Sequence, residues 1–270
     1  MKEFMDNETL KKLHNVEIEI LDEIVAICEK HNLKYYLIGG TLLGAVRHGG
    51  FIPWDDDLDI GMPRKDYEKF LSIASKELRE QYMIDNKDTN KKYYLNFTKI
   101  RKKNTIFEQD FQINYDGPKG IWVDIFPVDE AKSLKNKLTP VQKKINNIIF
   151  RLLHYKNGFI LGNKFNFIKK FLGKICIIKH ETLLNIQEKW LKLQDGKNYD
   201  CIVNLASTYD YKKEIFKKED IYPLAEMTFE NKKYKVPKNY KKVLKQVYGD
   251  YMKLPPKDKQ ITHNPVKLEF

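Results

Sequence analysis

Four aspartates fall within the five residues Asp55 to Asp59, and this run constrains the fold of the 270-residue chain more than any other feature. Leu58 and Ile60 alternate with Asp57 and Asp59, which is the period of a strand that buries its apolar side chains and turns both carboxylates to the other face. Neighbouring carboxylates raise one another's pKa and destabilise such a strand unless a cation lies between them. Because hard oxygen ligands suit Mg²⁺ or Mn²⁺, the run predicts a metal site.

Other carboxylates are candidates to complete this site. Asp124 stands alone in an apolar stretch, where a charged side chain needs a compensating partner, so it is the natural third ligand. The alternative is that Asp124 caps the turn at Pro127. Asp129 is the nearest substitute as a third ligand, but its position after Pro127 predicts a loop. Asp55 and Asp56 can likewise be solvated residues that cap a turn, and the sequence leaves open which of them contributes.

A glycine pair upstream of the acidic run predicts a phosphate-binding turn. Gly39 and Gly40 permit a tight turn and Thr41 is suited to cap the following helix, so backbone N–H groups at the helix start can hold a phosphate. His48 is expected either to contact a phosphate or to cap a helix end. The basic candidates for phosphate contacts, each with a solvated surface charge as its alternative role, are Arg47, His48, Arg64, Lys99 and Arg101.

The order of predicted elements indicates the fold class. Apolar residues at three- and four-residue steps predict a helix over Glu8–Lys30, and shorter helices are expected at Leu42–Arg47 and Asp66–Glu80. Strands are predicted at Tyr35–Ile38, around Asp57–Ile60, at Tyr93–Arg101 and at Gly120–Phe126, the last of which Pro127 should close. Strands interleaved with helices predict an α/β fold with a mixed sheet.

The second half of the chain has a different texture. Residues 132–192 predict helices without a clear strand. A hairpin of Met227–Glu230 and Tyr234–Val236 should then lead into a helix over Tyr240–Val247. We therefore expect a catalytic core at 1–130, a helical insertion at 131–195, and a small C-terminal hairpin-plus-helix segment at 196–270 that packs back on the core.

The amino-acid composition limits the classes of binding partner but does not select one of them. Lys and Arg number 49 against 37 Asp and Glu, and the net charge of +12 favours nucleotides, nucleic acid or anionic lipid, although coding bias also produces Lys-rich chains. Three separated cysteines without a C-x-x-C pair indicate neither a disulfide framework nor a zinc site. No leader-like or membrane-spanning apolar run is present in the sequence, so a cytoplasmic location is expected.

The motifs resemble those of a known family. Residues 39–48 and 50–60, which read GGTLLGAVRH and GFIPWDDDLDI, are similar to the signature of the LicD family of phosphocholine transferases, within the nucleotidyltransferase superfamily. Residues 63–67 resemble the family's continuation and residues 120–127 its second motif. Tyr248 to Tyr251 with Pro255-Pro256 is similar to its C-terminal signature. The resemblance covers the first 130 residues and the tail, while 132–218 carries no matching string.

The resemblance implies a nucleotidyltransferase core in which Asp57, Asp59 and Asp124 hold metal, with two Mg²⁺ or Mn²⁺ ions expected. It also implies transfer of phosphocholine from CDP-choline, or a related headgroup from another nucleotide-diphosphate donor, to a sugar hydroxyl, with release of CMP. The acceptor is expected to be a lipid-linked cell-surface glycan or teichoic acid precursor. An aromatic box should then hold the quaternary ammonium, and its candidates, with core packing as the alternative role, are Trp54, Tyr67, Tyr94 and Trp122.

Two other functions remain open from the residues. A conventional nucleotidyltransferase would use the same carboxylates to move a nucleotide onto a sugar, small molecule or RNA end. A non-catalytic basic protein would bind nucleic acid or membrane, but clustered aspartates repel a phosphate backbone, so no nucleic acid is expected. The apolar, Lys-rich stretches at 148–153 and 165–178 are compatible with peripheral contact at the inner membrane face, and equally with ordinary helix packing.

Overall fold

The computed structural model describes residues 5–112, 115–159, 176–260 and 262–270. Its strands, in chain order, are β1 (Tyr36–Leu37), β2 (Asp59–Pro63), β3 (Tyr82–Asp85), β4 (Thr98–Lys102), β5 (Ile106–Glu108), β6 (Trp122–Ala131), β7 (Cys201–Val203), β8 (Ile215–Lys217), β9 (Ala225–Phe229), β10 (Lys232–Val236) and β11 (Lys267–Glu269). Its helices are α1 (Asn7–Lys30), α2 (Gly39–His48), α3 (Arg64–Glu77), α4 (Leu138–Lys156), α5 (His180–Leu191), α6 (Tyr211–Glu214), α7 (Lys218–Ile221) and α8 (Tyr240–Tyr248).

A mixed sheet forms the centre of the fold, which confirms the predicted α/β class. Its strand order is β1-β2-β6-β4-β3, and β7 and β8 extend it beyond the far end of β6. The pair β2 and β6 is parallel, whereas β6 is antiparallel to both β4 and β7. Because β2 and β6 run in the same direction, the start of β2 at Asp59 lies beside Asp124, the third residue of β6.

Helix α1 packs on the sheet through an apolar stripe, as its periodicity predicts. Leu13, Ile20 and Ile24 are fully buried in the main core. Asp6 begins the helix by accepting the N–H groups of Glu8 and Thr9 at 3.0 and 2.9 Å. The core therefore lies between this helix and the face of the sheet that carries the apolar side chains of β2 and β6.

Strand β6 differs from its sequence prediction. It continues through Pro127 to Ala131, so the expectation that Pro127 closes it is wrong. Its partner changes along its length, from β4 up to Ile125 to β7 from Asp129 onward. Pro127 lies between these two segments, where its missing N–H costs no ladder hydrogen bond. Asp129 is consequently a strand residue and not, as expected, a loop residue.

Other boundaries also moved. The strand predicted over Tyr93–Arg101 begins only at Thr98, and β3 and β5 were not predicted. Helix α2 begins at Gly39, and the residue before it, Ile38, makes no capping hydrogen bond through its side chain. Thr41 lies inside the helix, so the prediction that Thr41 caps it is wrong. The C-terminal hairpin is confirmed as β9 and β10, and α8 follows it as predicted.

The described part of the helical middle consists of α4 and α5, which pack on each other around a separate apolar cluster with Leu153 and Leu183. Among the described residues, no helix is both long and apolar enough to cross a membrane. Ile148 on α4 is 49% exposed, whereas Ile149 is buried. Most of the other stretch considered for membrane contact, residues 165–175, lies outside the described residues, so this contact stays a prediction.

Candidate active site

Two aspartates meet at the edge of the sheet where β2 and β6 begin. Asp59 opens β2 and its Cα partner across the parallel pair is Asp124. The N–H of Asp124 donates to the carbonyl of Leu58 at 2.9 Å, while Leu58 and Ile60 are fully buried. The strand pairing thus sets Asp59 and Asp124 side by side. Asp57, which the sequence predicts on the same strand face as Asp59, lies in the loop before β2.

Helix α2 presses against this edge, and its glycines allow the close approach. A Cβ on Gly40 would lie 2.7 Å from Asp55 Oδ2, and a Cβ on Gly39 would lie 3.2 Å from Asp59 Oδ2. Gly39 also has a φ of +54°, which favours glycine. Thr41 accepts the N–H of Asp59 through Oγ1 at 2.8 Å, so it positions the strand instead of capping the helix. The predicted glycine turn therefore borders the acidic residues.

The structure separates Asp56 from the other members of the acidic run. Its carboxylate is 1% exposed and accepts the N–H of His263 at 2.9 Å and the N–H of Asn264 at 3.2 Å. His263 Nδ1 lies a further 3.0 Å from Asp56 Oδ1. Burial lowers the pKa of His263, but the hydrogen bond to Asp56 and the charge of Asp57 outweigh it and raise that pKa to about 9. Asp56 therefore anchors the C-terminal tail to the acidic loop.

The negative charges of Asp55, Asp57 and Asp59 have few neutralising partners among the described residues. Burial and the charge of Asp57 hold the pKa of both Asp55 and Asp59 well above its usual value. The pKa of Asp57 is raised by burial and by the charges of Asp56 and Asp124. In the described part of the chain, the Asp59 carboxylate accepts no hydrogen bond and the nearest cation to Asp57 is His263 Nδ1 at 3.8 Å. This is the electrostatic conflict that the sequence predicts.

Glu17 of α1 adds another acid beside this group. It is 2% exposed, and its Oε2 atom has no hydrogen-bond partner among the described residues. Burial, followed by the charges of Asp57 and Asp56, raises its pKa well above the usual value. A sequence signal was present, because Glu17 stands four residues after Leu13 on the apolar stripe of the helix.

Asp124 is compensated by a lysine from the neighbouring strand. Lys99 Nζ donates to both carboxylate oxygens, at 2.7 and 2.9 Å, and both side chains are less than 10% exposed. Burial lowers the pKa of Lys99 in spite of its partner. The ammonium also lies 4.1 Å from the Trp122 ring centroid. Lys99 thus holds a cationic group beside Asp59 and Asp124.

The acidic cluster suits a divalent cation in its chemistry. Three oxygen-bearing side chains with raised pKa values, Asp55, Asp57 and Asp59, lie together with the unpartnered Oε2 of Glu17. Their donor atoms are not gathered into a preformed metal site anywhere in the described residues. Asp124, the third predicted ligand, is directed toward the ammonium of Lys99.

A cleft of about 550 Å³ opens above the acidic cluster. Asp55, Asp57 and Asp59 line it together with Gly40 and residues from the tail. The tail runs from the end of α8 to β11, which pairs with β5, so the chain is fastened on both sides of the cleft. Its other basic and aromatic lining residues, which sequence reasoning missed, are Lys253, Lys259, His263, Tyr209, Tyr248 and Tyr251.

The predicted phosphate contacts divide into two groups. Arg47 lines the cleft, where its Nη1 donates to the carbonyl of Tyr251 at 3.0 Å and its Nε donates to His48 at 2.9 Å. His48 is exposed and does not line the cleft, but its Nε2 accepts the hydrogen bond from Arg47 Nε. Lys99 lies beside the acidic cluster through its ion pair with Asp124.

Arg64 and Arg101 are instead engaged in the interior. Arg64 forms a two-pronged ion pair with Asp129 at 2.7 and 2.8 Å, with both side chains under 5% exposed. Arg101 donates to Asp85 and to the carbonyl of Gly120, both at 2.6 Å. The geometry corrects the expectation that these two guanidinium groups face a phosphate.

The predicted aromatic box is not assembled. Trp54 lines the cleft, but Tyr67 is buried against Thr98, with its hydroxyl 2.6 Å from Thr98 Oγ1. Tyr94 is buried in the cluster of the helical middle and Trp122 lies beneath Lys99. Core packing, the alternative role, applies to these three residues.

The chain is similar to one named transferase over nearly its whole length and to another over a short stretch. It is 33% identical over 266 residues to the lipopolysaccharide cholinephosphotransferase LicD of Haemophilus influenzae, covering 96% of this chain and 97% of that one. Over 43 residues, 16% of this chain, it is 49% identical to human ribitol 5-phosphate transferase FKRP, of which that stretch is 9%. The mouse FKRP matches equally.

A family described as LicD/FKTN/FKRP, nucleotidyltransferase domain, matches residues 32–157. This range includes α2, β2 and all of β6, which are the elements around the acidic cluster. The family resemblance and the prediction of a phosphotransferase enzyme are thereby confirmed. The chain belongs to the LicD family.

Proposed function

We propose that this enzyme transfers phosphocholine from CDP-choline to a sugar hydroxyl of a cell-surface glycan and releases CMP. The observation that carries the proposal is that Asp57 and Asp59 line one cleft while Asp124 pairs with Asp59 across β2 and β6, in a chain related over its length to a cholinephosphotransferase. The relative's acceptor is lipopolysaccharide. A lipid-linked glycan or a teichoic acid precursor is the corresponding acceptor class here.

Divalent metal, Mg²⁺ or Mn²⁺, supports this chemistry by neutralising the diphosphate. Asp57 and Asp59 would hold the ions, with Asp124 as the third ligand. The mutual repulsion of these carboxylates and the unpartnered oxygen of Glu17 support this assignment. Two ions are expected, because a two-metal site balances charge on both the attacking and the leaving oxygen.

The residues of the chain then divide the work of the transfer. The acceptor oxygen forms a bond to the phosphorus that carries choline, and the bond from that phosphorus to the CMP oxygen breaks. In this proposal Asp124, which Lys99 orients, takes the proton of the acceptor hydroxyl. The basic residues that line the cleft, Arg47, Lys253 and Lys259, hold the phosphates of the donor in the same proposal.

The test measures CMP release by the purified protein from CDP-choline, with Mg²⁺ and a lipopolysaccharide or teichoic acid glycan as acceptor. Asp57→Asn and Asp59→Asn should each lose at least about a hundredfold in turnover, because each removes a charge that holds the metal. Asp116→Asn is the matched control, since Asp116 is exposed and pairs only with Lys92 at 3.0 Å in the described structure.

Undiminished turnover in both cluster variants would sink the metal assignment. Turnover of CDP-ribitol without turnover of CDP-choline would instead identify ribitol 5-phosphate, the group in the name of FKRP, as the transferred group. Release of pyrophosphate from a nucleoside triphosphate, with a nucleotidylated acceptor, would instead identify a conventional nucleotidyltransferase.

A further inference from the structure

Aromatic residues from the C-terminal half form part of the cleft wall. Tyr209, Tyr248 and Tyr251 line the same cleft as Asp55, and Trp54 joins them from the loop before the acidic run. Tyr209 is 38% exposed, while Tyr248 and Tyr251 are half-buried. These rings are therefore held by the protein and still border open space.

The rings make a corner and not a flat stack. The centroids of Tyr209 and Tyr248 are 5.8 Å apart and their planes meet at 87°. Tyr251 follows α8 closely, and its carbonyl is fixed by Arg47 Nη1 at 3.0 Å. One cation already lies on this group of rings, since Lys213 Nζ is 5.5 Å from the Tyr209 centroid. Perpendicular rings of this kind present both a face and an edge to a bound group.

Carboxylates line the cleft beside these rings, together with the basic residues Arg47, Lys253 and Lys259. Asp55 and Asp250 line the cleft with the tyrosines. A quaternary ammonium cannot donate a hydrogen bond to a carboxylate, so it is recognised by aromatic faces in a negative field.

On the basis of the proposed function, we propose that Tyr209, Tyr248 and Tyr251, together with Trp54, form the site for a quaternary ammonium headgroup of the donor. The acidic floor of the cleft borders these rings, so a phosphate at the floor and an ammonium among the rings belong to one bound molecule. The site selects choline over ethanolamine, because a primary ammonium keeps its hydrogen bonds to water or carboxylates and gains less from the rings.

The experiment compares KM values for CDP-choline and CDP-ethanolamine in tyrosine variants. Tyr248→Leu and Tyr251→Leu should raise the KM for CDP-choline about tenfold, a typical cation–π contribution, and change the KM for CDP-ethanolamine less than about threefold. Tyr248→Phe and Tyr251→Phe keep the rings and should stay close to wild type. Tyr209→Leu serves as a second test that does not disturb the core, since this side chain is exposed.

Two controls distinguish an ammonium site from a nucleotide site and from a general loss of packing. Tyr199→Leu removes a half-buried tyrosine that does not line the cleft, and it should leave both KM values unchanged. CMP is used as a competitive inhibitor, and its Ki should be unchanged in all the tyrosine variants. Equal increases in both KM values and in the Ki for CMP would show that the rings hold the nucleotide, which overturns the proposal.

An unchanged KM for CDP-choline in the three leucine variants would also overturn the proposal, while the proposed function would stand. The proposed function is tested separately with the wild-type enzyme. If the wild type turns over another CDP-linked donor but not CDP-choline, both CDP-choline as the donor and the ammonium site are refuted.

Discussion

The role of Arg64 can be tested directly. Its residue type predicts a phosphate contact, whereas its position in the structure predicts a stabilising ion pair with Asp129. Its guanidinium lies in the interior, where it donates to both oxygens of Asp129 and stands 5.4 Å from the centroid of Tyr67. Arg64→Met removes the cation and leaves the Asp129 carboxylate buried. Because an uncompensated buried charge costs about 3–5 kcal/mol, the free energy of unfolding should fall by that amount.

The double variant Arg64→Met/Asp129→Leu removes both charges and should recover most of the loss. Replacing a buried ion pair by apolar residues of similar volume is often neutral or stabilising by about 1–4 kcal/mol. The assay is urea unfolding of wild type, both single variants and the double variant at 25 °C, with linear extrapolation to water. The coupling between the two sites follows from the double-mutant cycle.

Activity measurements complete the test. Since the pair lies outside the cleft lining, the KM for CDP-choline in the folded fraction of Arg64→Met should stay within about twofold of wild type. A loss below about 1 kcal/mol in unfolding free energy, combined with a tenfold rise in KM, would refute the structural role. It would restore Arg64 as a phosphate contact.

Three further outcomes are expected. Mn²⁺ should raise the melting temperature of the wild type, and at a hundred times its Kd it should add about 2.7 kcal/mol to the free energy of unfolding. It should not stabilise Asp57→Asn or Asp59→Asn. Without metal, Asp55→Asn should stabilise the protein, because it removes the repulsion between the Asp55 and Asp57 carboxylates. Asp56→Asn should lower the free energy of unfolding by about 1–3 kcal/mol, because the N–H groups of His263 and Asn264 lose a charged acceptor. Burial raises the pKa of Glu214 to about 7, so the stability it confers is full below its unfolded pKa and is lost as pH rises through 7. The urea midpoint should therefore fall between pH 5 and pH 8 by more in the wild type than in Glu214→Gln.

Each of these three outcomes has a contrary result. Equal stabilisation of the wild type and the cluster variants by Mn²⁺ would place the ion elsewhere. A more stable Asp56→Asn protein would show that the link to the tail contributes nothing. A Glu214→Gln protein that loses stability with pH as the wild type does would assign the dependence to another group.

Much of the floor of the site could be predicted from the sequence because it depends on local periodicity. The alternation of Leu58 and Ile60 with Asp57 and Asp59 specifies which face of a strand is buried, whatever the strand pairs with. Gly39 and Gly40 were predicted as a tight turn, and the structure places Asp59 and Asp55 against them. The length and specificity of these motifs also made the family recognisable.

The roles of individual charged residues could not be predicted in this way. Arg64 and Arg101 stood near the motifs in sequence, but their partners Asp129 and Asp85 lie on other strands. Asp129 was expected in a loop because Pro127 commonly ends a strand. The change of strand partner that permits Pro127 there is a property of the sheet and has no local signal.

The sequence by itself determined the burial of Leu58 and Ile60, the α/β class and the family, because these depend on residues a few positions apart. Only the tertiary structure decided the rest of the acidic site. It assigned Asp56 to the tail through His263, 207 positions away along the chain, and paired Asp124 with Lys99. It also brought Tyr209 and Tyr248 to the cleft. Such contacts depend on where the folded chain returns to itself, and no periodicity within one segment records that.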